Sequence, residues 1–357
     1  MGMGHYERLL IQALIGSGAA RDGWRFDIRF AGRAPAGGQI ATLLEPGLSG
    51  AAFEGYSPDR LARLPWIAAR AAITLPHLRS QPDLYHLLSL AYPAPIGRPV
   101  LYTIHDLPPA RFPDEGRLPR WAAQAAQAAS AILTPSQFAK RELMELLGLR
   151  EERVHVIPNG YERDAFHPDV APADARMLAA QGIPGPYLFY SGGSSRRKNL
   201  RALLDAWGLI ARRYPDLTLV LAGPAAPLQA LARERGAPRV VVAGYLERDT
   251  LPCLLKAATA LVYPSIYEGF GLPPLEAMAT GVPVIAVRAG AVPEVTGDCA
   301  VLAPDGGADS LAQAIQSLLD DSALADALRR CGPERAQRFS WTEYARRALS
   351  LYEEAAA

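Results

Sequence analysis

Two α/β domains, each a parallel sheet covered by helices on both faces, form the architecture that this sequence predicts. Three observations carry it. Short β-rich apolar runs alternate with stretches of helical periodicity, the pattern of parallel strands joined by crossover helices. The length, 357 residues, suits two domains better than one. A cluster of Pro168, Pro172, Gly182, Pro184, Gly185 and Pro186 breaks the alternation near the middle of the chain.

The strand-like runs are 101–104, 131–134, 154–157, 187–190, 218–222, 240–243, 260–263 and 284–287. Between them, 200–213 and 311–319 have the spacing of amphipathic helices. The predicted organisation is an N-terminal domain 1–168, a linker 169–185, a C-terminal domain 186–338 and a last helix 339–357. The apolar face of that helix holds Tyr344, Ala348, Leu351 and Tyr352. A doubly wound domain ordinarily opens with a strand, a glycine turn and a helix. Here Gly2-Met-Gly-His-Tyr leads straight into a helical stretch at 7–15, so the first strand is expected to be missing.

Composition narrows the function. Half of the residues are hydrophobic and 20% are charged, ample apolar material for two cores. No apolar run is long enough to cross a bilayer, and the start lacks a basic-then-apolar leader. A soluble, cytoplasmic protein is expected. The net charge of +1 leaves no electrostatic footprint for nucleic acid. Of the 37 basic residues only Lys140, Lys198 and Lys256 are lysine, so each lysine departs from the habit of the chain. Cys253, Cys299 and Cys331 form no CxxC pair, so neither a zinc site nor a disulfide is expected and the thiols read as buried and inert. The six histidines show no metal-ligand spacing.

The most informative stretch is Tyr263-Pro-Ser-Ile-Tyr-Glu-Gly-Phe-Gly-Leu-Pro-Pro-Leu-Glu-Ala-Met-Ala. A strand ends, a loop with Gly269 and Gly271 follows, and Pro273 marks the first turn of a helix. That geometry aims backbone N–H groups and the positive helix end at an anion, here the diphosphate of a nucleotide. Glu268 precedes the glycines, and Glu276 is expected in the first helical turn. Carboxylates accept hydrogen bonds from vicinal hydroxyls, so the pair suits a molecule with sugar, diphosphate and ribose in series. Glu276 has a second reading, as a glutamate favoured near a helix start by the dipole. The segment Tyr190-Ser-Gly-Gly-Ser-Ser-Arg-Arg-Lys-Asn-Leu adds Gly192 and Gly193 after a strand and Arg197 and Lys198 before a helix, a second phosphate-binding arrangement. A solvated basic loop is the alternative. His105 and Asp106 stand just past the C-terminal end of another strand, where open α/β sheets bind ligands. A lone histidine there has a structural reading and a ligand-binding one, and the residues alone do not choose.

Taken together, these segments resemble the retaining GT-B glycosyltransferases of family four. The resemblance spans nearly the whole chain and is densest over 187–304. It implies two Rossmann-like domains whose parallel sheets face a central cleft, with the last helix crossing back to the N-domain. It implies that Glu268 acts at the donor sugar, that Glu276 holds the ribose, and that the loop Gly269, Phe270, Gly271 and Leu272 holds the phosphates. Arg197 and Lys198 match the Arg-Lys-Asn loop of the family, and Gly193 stands where many members carry arginine. His105, within Thr-Ile-His-Asp-Leu, is implied near the donor sugar. Tyr245 and Leu246 follow the strand whose backbone meets the nucleobase. Gly4 falls in a segment resembling the acceptor and diphosphate loop, with His5 in place of its usual arginine. Ser136 reads as a helix N-cap without chemistry, and Asn159-Gly160 as a turn.

The implied reaction is transfer of a hexose from a nucleoside diphosphate sugar to a hydroxyl, with retained configuration. The catalytic set is His105, Glu268 and Lys198, with no resident cofactor and no metal, since the sequence has no Asp-x-Asp pair. The motif variants are similar to those of bacterial mannosyltransferases that build cell-surface polysaccharides. GDP-mannose is therefore the first choice of donor, ahead of UDP-glucose and dTDP- or GDP-deoxyhexoses. The acceptor implied is a glycan or a lipid-linked glycan. Leu61, Leu64, Trp66 and Ile67 among Arg60, Arg63 and Arg70 offer a peripheral membrane contact. Pro65 interrupts that segment, and an ordinary packed helix is the alternative. A nucleotide-sugar epimerase of the same fold and a non-catalytic nucleotide-sugar binder are the two rival classes.

Overall fold

The computed structural model describes residues 3–17, 28–31, 51–54, 66–74, 82–169, 182–183, 185–247 and 249–357. Most of the linker expected at 169–185 lies outside them. Two compact units emerge. One comprises Met1–Ala110, Arg117–Gly160 and Ser340–Ala357, and the other comprises Arg111–Gly116 and Tyr161–Phe339.

In the first unit, strands β1 (Ile28–Ala31) and β2 (Ala51–Glu54) pair in parallel. A separate parallel sheet runs in the order β3 (Tyr85–Leu87), β4 (Val100–Thr103), β5 (Ala131–Thr134), β6 (Val154–Val156). All four residues of β4 and of β5 are buried, as expected of parallel strands covered on both faces. On one face Val100, Tyr102, Ile132 and Val154 pack with Trp121, Ala125 and Leu143. On the other, Leu101, Ala131 and Leu133 meet Tyr6, Leu9 and Leu10 of helix Met3–Gly16 and Trp341, Tyr344, Ala348 and Tyr352 of helix Trp341–Ala356. The last helix thus completes a core begun by the first. Helix Met3–Gly16 is the first element among the described residues, and Gly4 sits in its first turn rather than in the expected loop.

The second unit holds a six-stranded parallel sheet: β7 (Tyr187–Ser191), β8 (Thr218–Ala222), β9 (Val240–Gly244), β10 (Ala260–Tyr263), β11 (Val284–Val287) and β12 (Val301–Ala303). Their spatial order is β12-β11-β10-β7-β8-β9. The chain therefore builds outward from β7 through β8 and β9, then returns to add β10, β11 and β12 on the other side. The join between β7 and β10 is a topological switch point, where the loops leaving the two strands diverge and open a crevice at the carboxyl edge. Leu203, Trp207, Leu228, Leu311 and Ile315 cover one face of the sheet, and Leu251, Leu254, Leu275 and Met278 cover the other.

The cysteines correct the sequence expectation. Cys299 and Cys331, 32 residues apart, form a disulfide with their Cα atoms 5.4 Å apart. The bond ties the segment before β12 to helix Ser322–Ala336, and no local spacing could announce so distant a pair. Cys253 keeps its thiol, buried in helix Thr250–Ala257. Among the described residues, no helix is long and apolar enough to cross a membrane.

Candidate active site

Two loops leave the switch point of the second unit. The first follows β7. Gly192 passes so close to its neighbours that a Cβ there would lie 2.7 Å from Tyr190 Oη, and its N–H donates to the Ala222 carbonyl at 2.9 Å. Gly193, by contrast, faces open space. A single 3₁₀ turn, Arg196–Lys198, then sets the two basic residues, and Asn199 closes it in the left-handed region at φ 53°. The Asn199 amide donates to the Pro264 carbonyl at 3.1 Å and to the Gly306 carbonyl at 2.9 Å. The Ile266 N–H donates to the Arg197 carbonyl at 2.9 Å. The Asn199 side chain and the Ile266 N–H thereby stitch the β7 loop to the β10 loop, which fixes where the Arg197 and Lys198 side chains start.

In the second loop, Glu268 is held by its backbone. Its carbonyl accepts from the Ala291 N–H at 2.9 Å. Gly290, at φ +60°, leaves the room: a Cβ there would lie 2.6 Å from the Glu268 carbonyl oxygen and 2.7 Å from its nitrogen. Gly271 then turns at φ +112° into helix Leu272–Ala279. Pro273 and Pro274 have no N–H, so Gly271 and Leu272 carry the amides of the helix start. The Phe270 ring is buried against Phe339, centroids 5.7 Å apart, so only its backbone remains to line a ligand.

The charged side chains of the two loops converge. Lys198 Nζ lies 2.6 Å from Glu268 Oε1, and Arg197 Nη1 lies 3.2 Å from Glu268 Oε2. Lys198 also donates to Tyr263 Oη at 3.4 Å. Burial alone would raise the Glu268 carboxyl, but the Lys198 ammonium and the Arg197 guanidinium outweigh it and hold the group below its ordinary value. Arg197 Nε also contacts both oxygens of Glu115, each at 2.8 Å. Glu115 closes the 3₁₀ turn Pro113–Glu115 and was not singled out from the sequence, where an acid in a loop bounded by Pro113 and Gly116 carries no distinctive signal.

Glu276 is the fifth residue of its helix, one turn deeper than expected. The dipole explanation fades beyond the first turn, so an ordinary helix-start glutamate is a poor description. The residue is 6% exposed, and burial pushes its carboxyl up to about 8. Tyr245 follows Gly244 (φ +77°) at the end of β9 and is 75% exposed, while Leu246 packs on the core.

His105 belongs to the first unit, just beyond β4. Its ring meets the Tyr6 ring edge to face at 4.0 Å, and burial lowers its pKa to about 4, so the imidazole is neutral at pH 7. Its Nε2 is buried with no hydrogen-bond partner among the described residues. Tyr6 Oη in turn donates to Tyr344 Oη at 2.7 Å. Thr103 Oγ1 lies 3.3 Å from that hydroxyl and 2.8 Å from His86 Nε2, and His86 Nδ1 lies 2.6 Å from Tyr352 Oη.

Comparison with known proteins accounts for both units. Residues 185–321 match the family described as glycosyl transferases group 1, and residues 15–165 match glycosyltransferase family 4. An MMP alpha-(1->4)-mannosyltransferase of Mycolicibacterium hassiacum is 30% identical over 81% of this chain and 74% of its own length. The chain belongs to the family 4, group 1 glycosyltransferases. The O-antigen chain mannosyltransferase B of Escherichia coli is 34% identical over 64% of this glycosyltransferase, which spans 62% of that protein's length. Among solved structures, Anabaena HepE in complex with UDP-glucose has a TM-score of 0.74 at 22% identity, covering 97% of this chain and 96% of its own. The fold of this glycosyltransferase is GT-B, with two Rossmann-like α/β parts.

Of the residues singled out in the sequence, the structure of this glycosyltransferase joins Arg197, Lys198 and Glu268 directly. It sets Gly192 in the neighbouring strand end and Gly271 and Leu272 at the helix start. Gly4 and His105 lie in the other unit. In the segment read as a membrane contact, Arg60, Leu61, Arg63, Leu64 and Pro65 lie outside the described residues. Trp66, Ile67 and Arg70 lie in helix Trp66–Thr74, where Ile67 is 74% exposed. Arg70 is turned to protein rather than outward: it donates to the carbonyls of Ala94 at 2.7 Å and Pro95 at 3.1 Å.

Proposed function

We propose that this glycosyltransferase moves a hexose, mannose in the first instance, from a nucleoside diphosphate sugar to a hydroxyl of a glycan or lipid-linked glycan. Transfer proceeds with retention and without a metal. The observation that carries the reading is the convergence of Arg197, Lys198 and Glu268 beside a glycine-bounded helix start at the switch point of the second sheet. Lys198 and Arg197 neutralise the departing diphosphate, whose oxygens also reach the Gly271 and Leu272 amides. Glu268 positions the donor sugar and stabilises positive charge at the anomeric carbon. Glu276 takes the ribose hydroxyls. Arg197 and Lys198 supply the positive charge that a metal provides in other transferases. The mannosyltransferase relatives support mannose, and the UDP-glucose bound by Anabaena HepE makes UDP-glucose the next donor to try.

Two measurements test this. Glu268→Gln and Lys198→Ala should each lower kcat/KM by about 10²–10³-fold while the proteins stay folded, the scale of losing a group aimed at transition-state charge. Near-wild-type turnover in both would sink the site assignment. In a thermal-shift panel, GDP-mannose should raise the Tm. No shift with GDP-mannose beside a clear one with UDP-glucose or a dTDP-sugar would overturn the donor choice.

A further inference from the structure

Among the described residues, the charges that meet at this site balance. Arg197 and Lys198 bring two positive charges, and Glu115 and Glu268 bring two negative ones within 3.2 Å of them. The side chains of Arg197 and Glu115 are each 17% exposed, so solvent screens the pair only partly. A nucleoside diphosphate sugar carries about two negative charges on its diphosphate. Added to a balanced cluster, it would leave a buried excess of negative charge unless one carboxylate withdrew.

The two carboxylates differ in their freedom to do so. Glu268 is 7% exposed, and its backbone is locked by the Ala291 N–H and by the close passage of Gly290. Glu115 stands on a single 3₁₀ turn with exposed neighbours: Arg111, Pro113, Asp114, Gly116 and Arg117 all face solvent. Gly116 turns the chain at φ +109°, open to glycine and strained for other residues. The short segment Arg111–Gly116 packs with the second unit although the chain on either side of it belongs to the first. Beyond Glu115, the edge-to-face contact of Phe112 on Tyr267, at 5.5 Å, helps to hold it there.

We propose that Glu115 is a displaceable counter-ion of Arg197. It occupies the guanidinium in the donor-free enzyme and yields it to the diphosphate of the incoming donor. The proposal rests on the reading of Arg197 and Lys198 as the diphosphate site. Glu115 thereby sets how tightly the donor binds, because each binding event must first break its ion pair. It also keeps Arg197 ordered and ready in the absence of ligand.

Titration calorimetry on the full chain with GDP-mannose, UDP-glucose, GDP and UDP tests this. In Glu115→Gln the affinity for whichever nucleotide binds the wild type should rise about tenfold, since a partly buried competing pair has been removed. The gain should vanish in the Arg197→Ala background, where no ion pair exists to be broken. A melting temperature for Glu115→Gln close to that of the wild type shows that the fold is intact. Unchanged or weaker binding by Glu115→Gln overturns the proposal, as does an equal gain with and without Arg197. The parent reading fails separately: wild-type affinity in the Arg197→Ala, Lys198→Ala double variant would move the diphosphate elsewhere, and the role of Glu115 would fall with it.

Discussion

Glu276 shows how the burial of a single carboxyl makes stability depend on pH. Its carboxyl titrates at about 8 in the folded protein because burial penalises the charged form. In an unfolded chain the same group titrates near 4.5. Between those values the folded state holds a proton that the unfolded state has lost, so stability falls as the pH rises through this window and levels off above it. Glu276→Gln removes the fall. At pH 8 the variant should melt a few degrees, about 2–6 °C, above the wild type, with the difference shrinking towards pH 5. Ribose hydroxyls that hydrogen-bond the carboxylate would lower its pKa, so donor binding should release a proton near pH 7.5. Calorimetry in buffers of differing ionisation enthalpy reads that proton directly. A variant no more stable than the wild type at pH 8 would show that Glu276 carries no burial penalty.

At the scale of the element, the eight strands read from the sequence are all present, because each falls on a short β-rich run, and β4, β5, β8, β10 and β11 are buried along their whole length. β1, β2, β3 and β12 escaped notice for the opposite reason. Arg29 and Glu54 break the apolar pattern of β1 and β2, and β3 and β12 have three residues each and are only partly buried. The loop motifs were legible because glycine and proline placement is local information. Glu115 and Gly290 were not, since their importance depends on which distant residue they meet. Gly290 lies on the loop after β11, 22 positions from Glu268, yet its missing Cβ is what admits the Glu268 backbone. Gly290→Ala combines a positive φ with a contact under 3 Å and should therefore displace Glu268 from Lys198. Activity is expected to fall at least about tenfold, the cost of roughly an ångström of misplacement or less. The test is kcat/KM beside a circular dichroism melt, and an active, equally stable variant would show that the loop relaxes freely. Gly193 is the contrasting case, since open space surrounds its missing Cβ.

For the whole chain, the consequential feature is that the first unit is assembled from both ends of the sequence. Leu101, Ala131, Leu133 and Ile157 are covered by Tyr6, Leu9 and Leu10 from the start and by Trp341, Tyr344, Ala348 and Tyr352 from the end. Tyr6, whose hydroxyl donates to Tyr344 Oη at 2.7 Å, packs its ring on His105 at 4.0 Å. A fragment of residues 1–160 would therefore expose an apolar sheet face and leave Tyr6 without its partner. Burying such a side chain is worth about 1.5–3 kcal/mol, and several are lost at once against a total stability of about 5–15 kcal/mol. That fragment should aggregate. The remedy is visible in the geometry: a Cβ on Gly160 would lie only 2.2 Å from the Trp341 nitrogen, so the chain can pass from 160 to 340 without a spacer. Joining 1–160 directly to 340–357 should restore a cooperative melt and a dispersed NMR spectrum, with the His105 ring signals shifted by its aromatic neighbour. If 1–160 alone melts as cooperatively as the fusion, the last helix is an accessory to the first unit rather than part of its core.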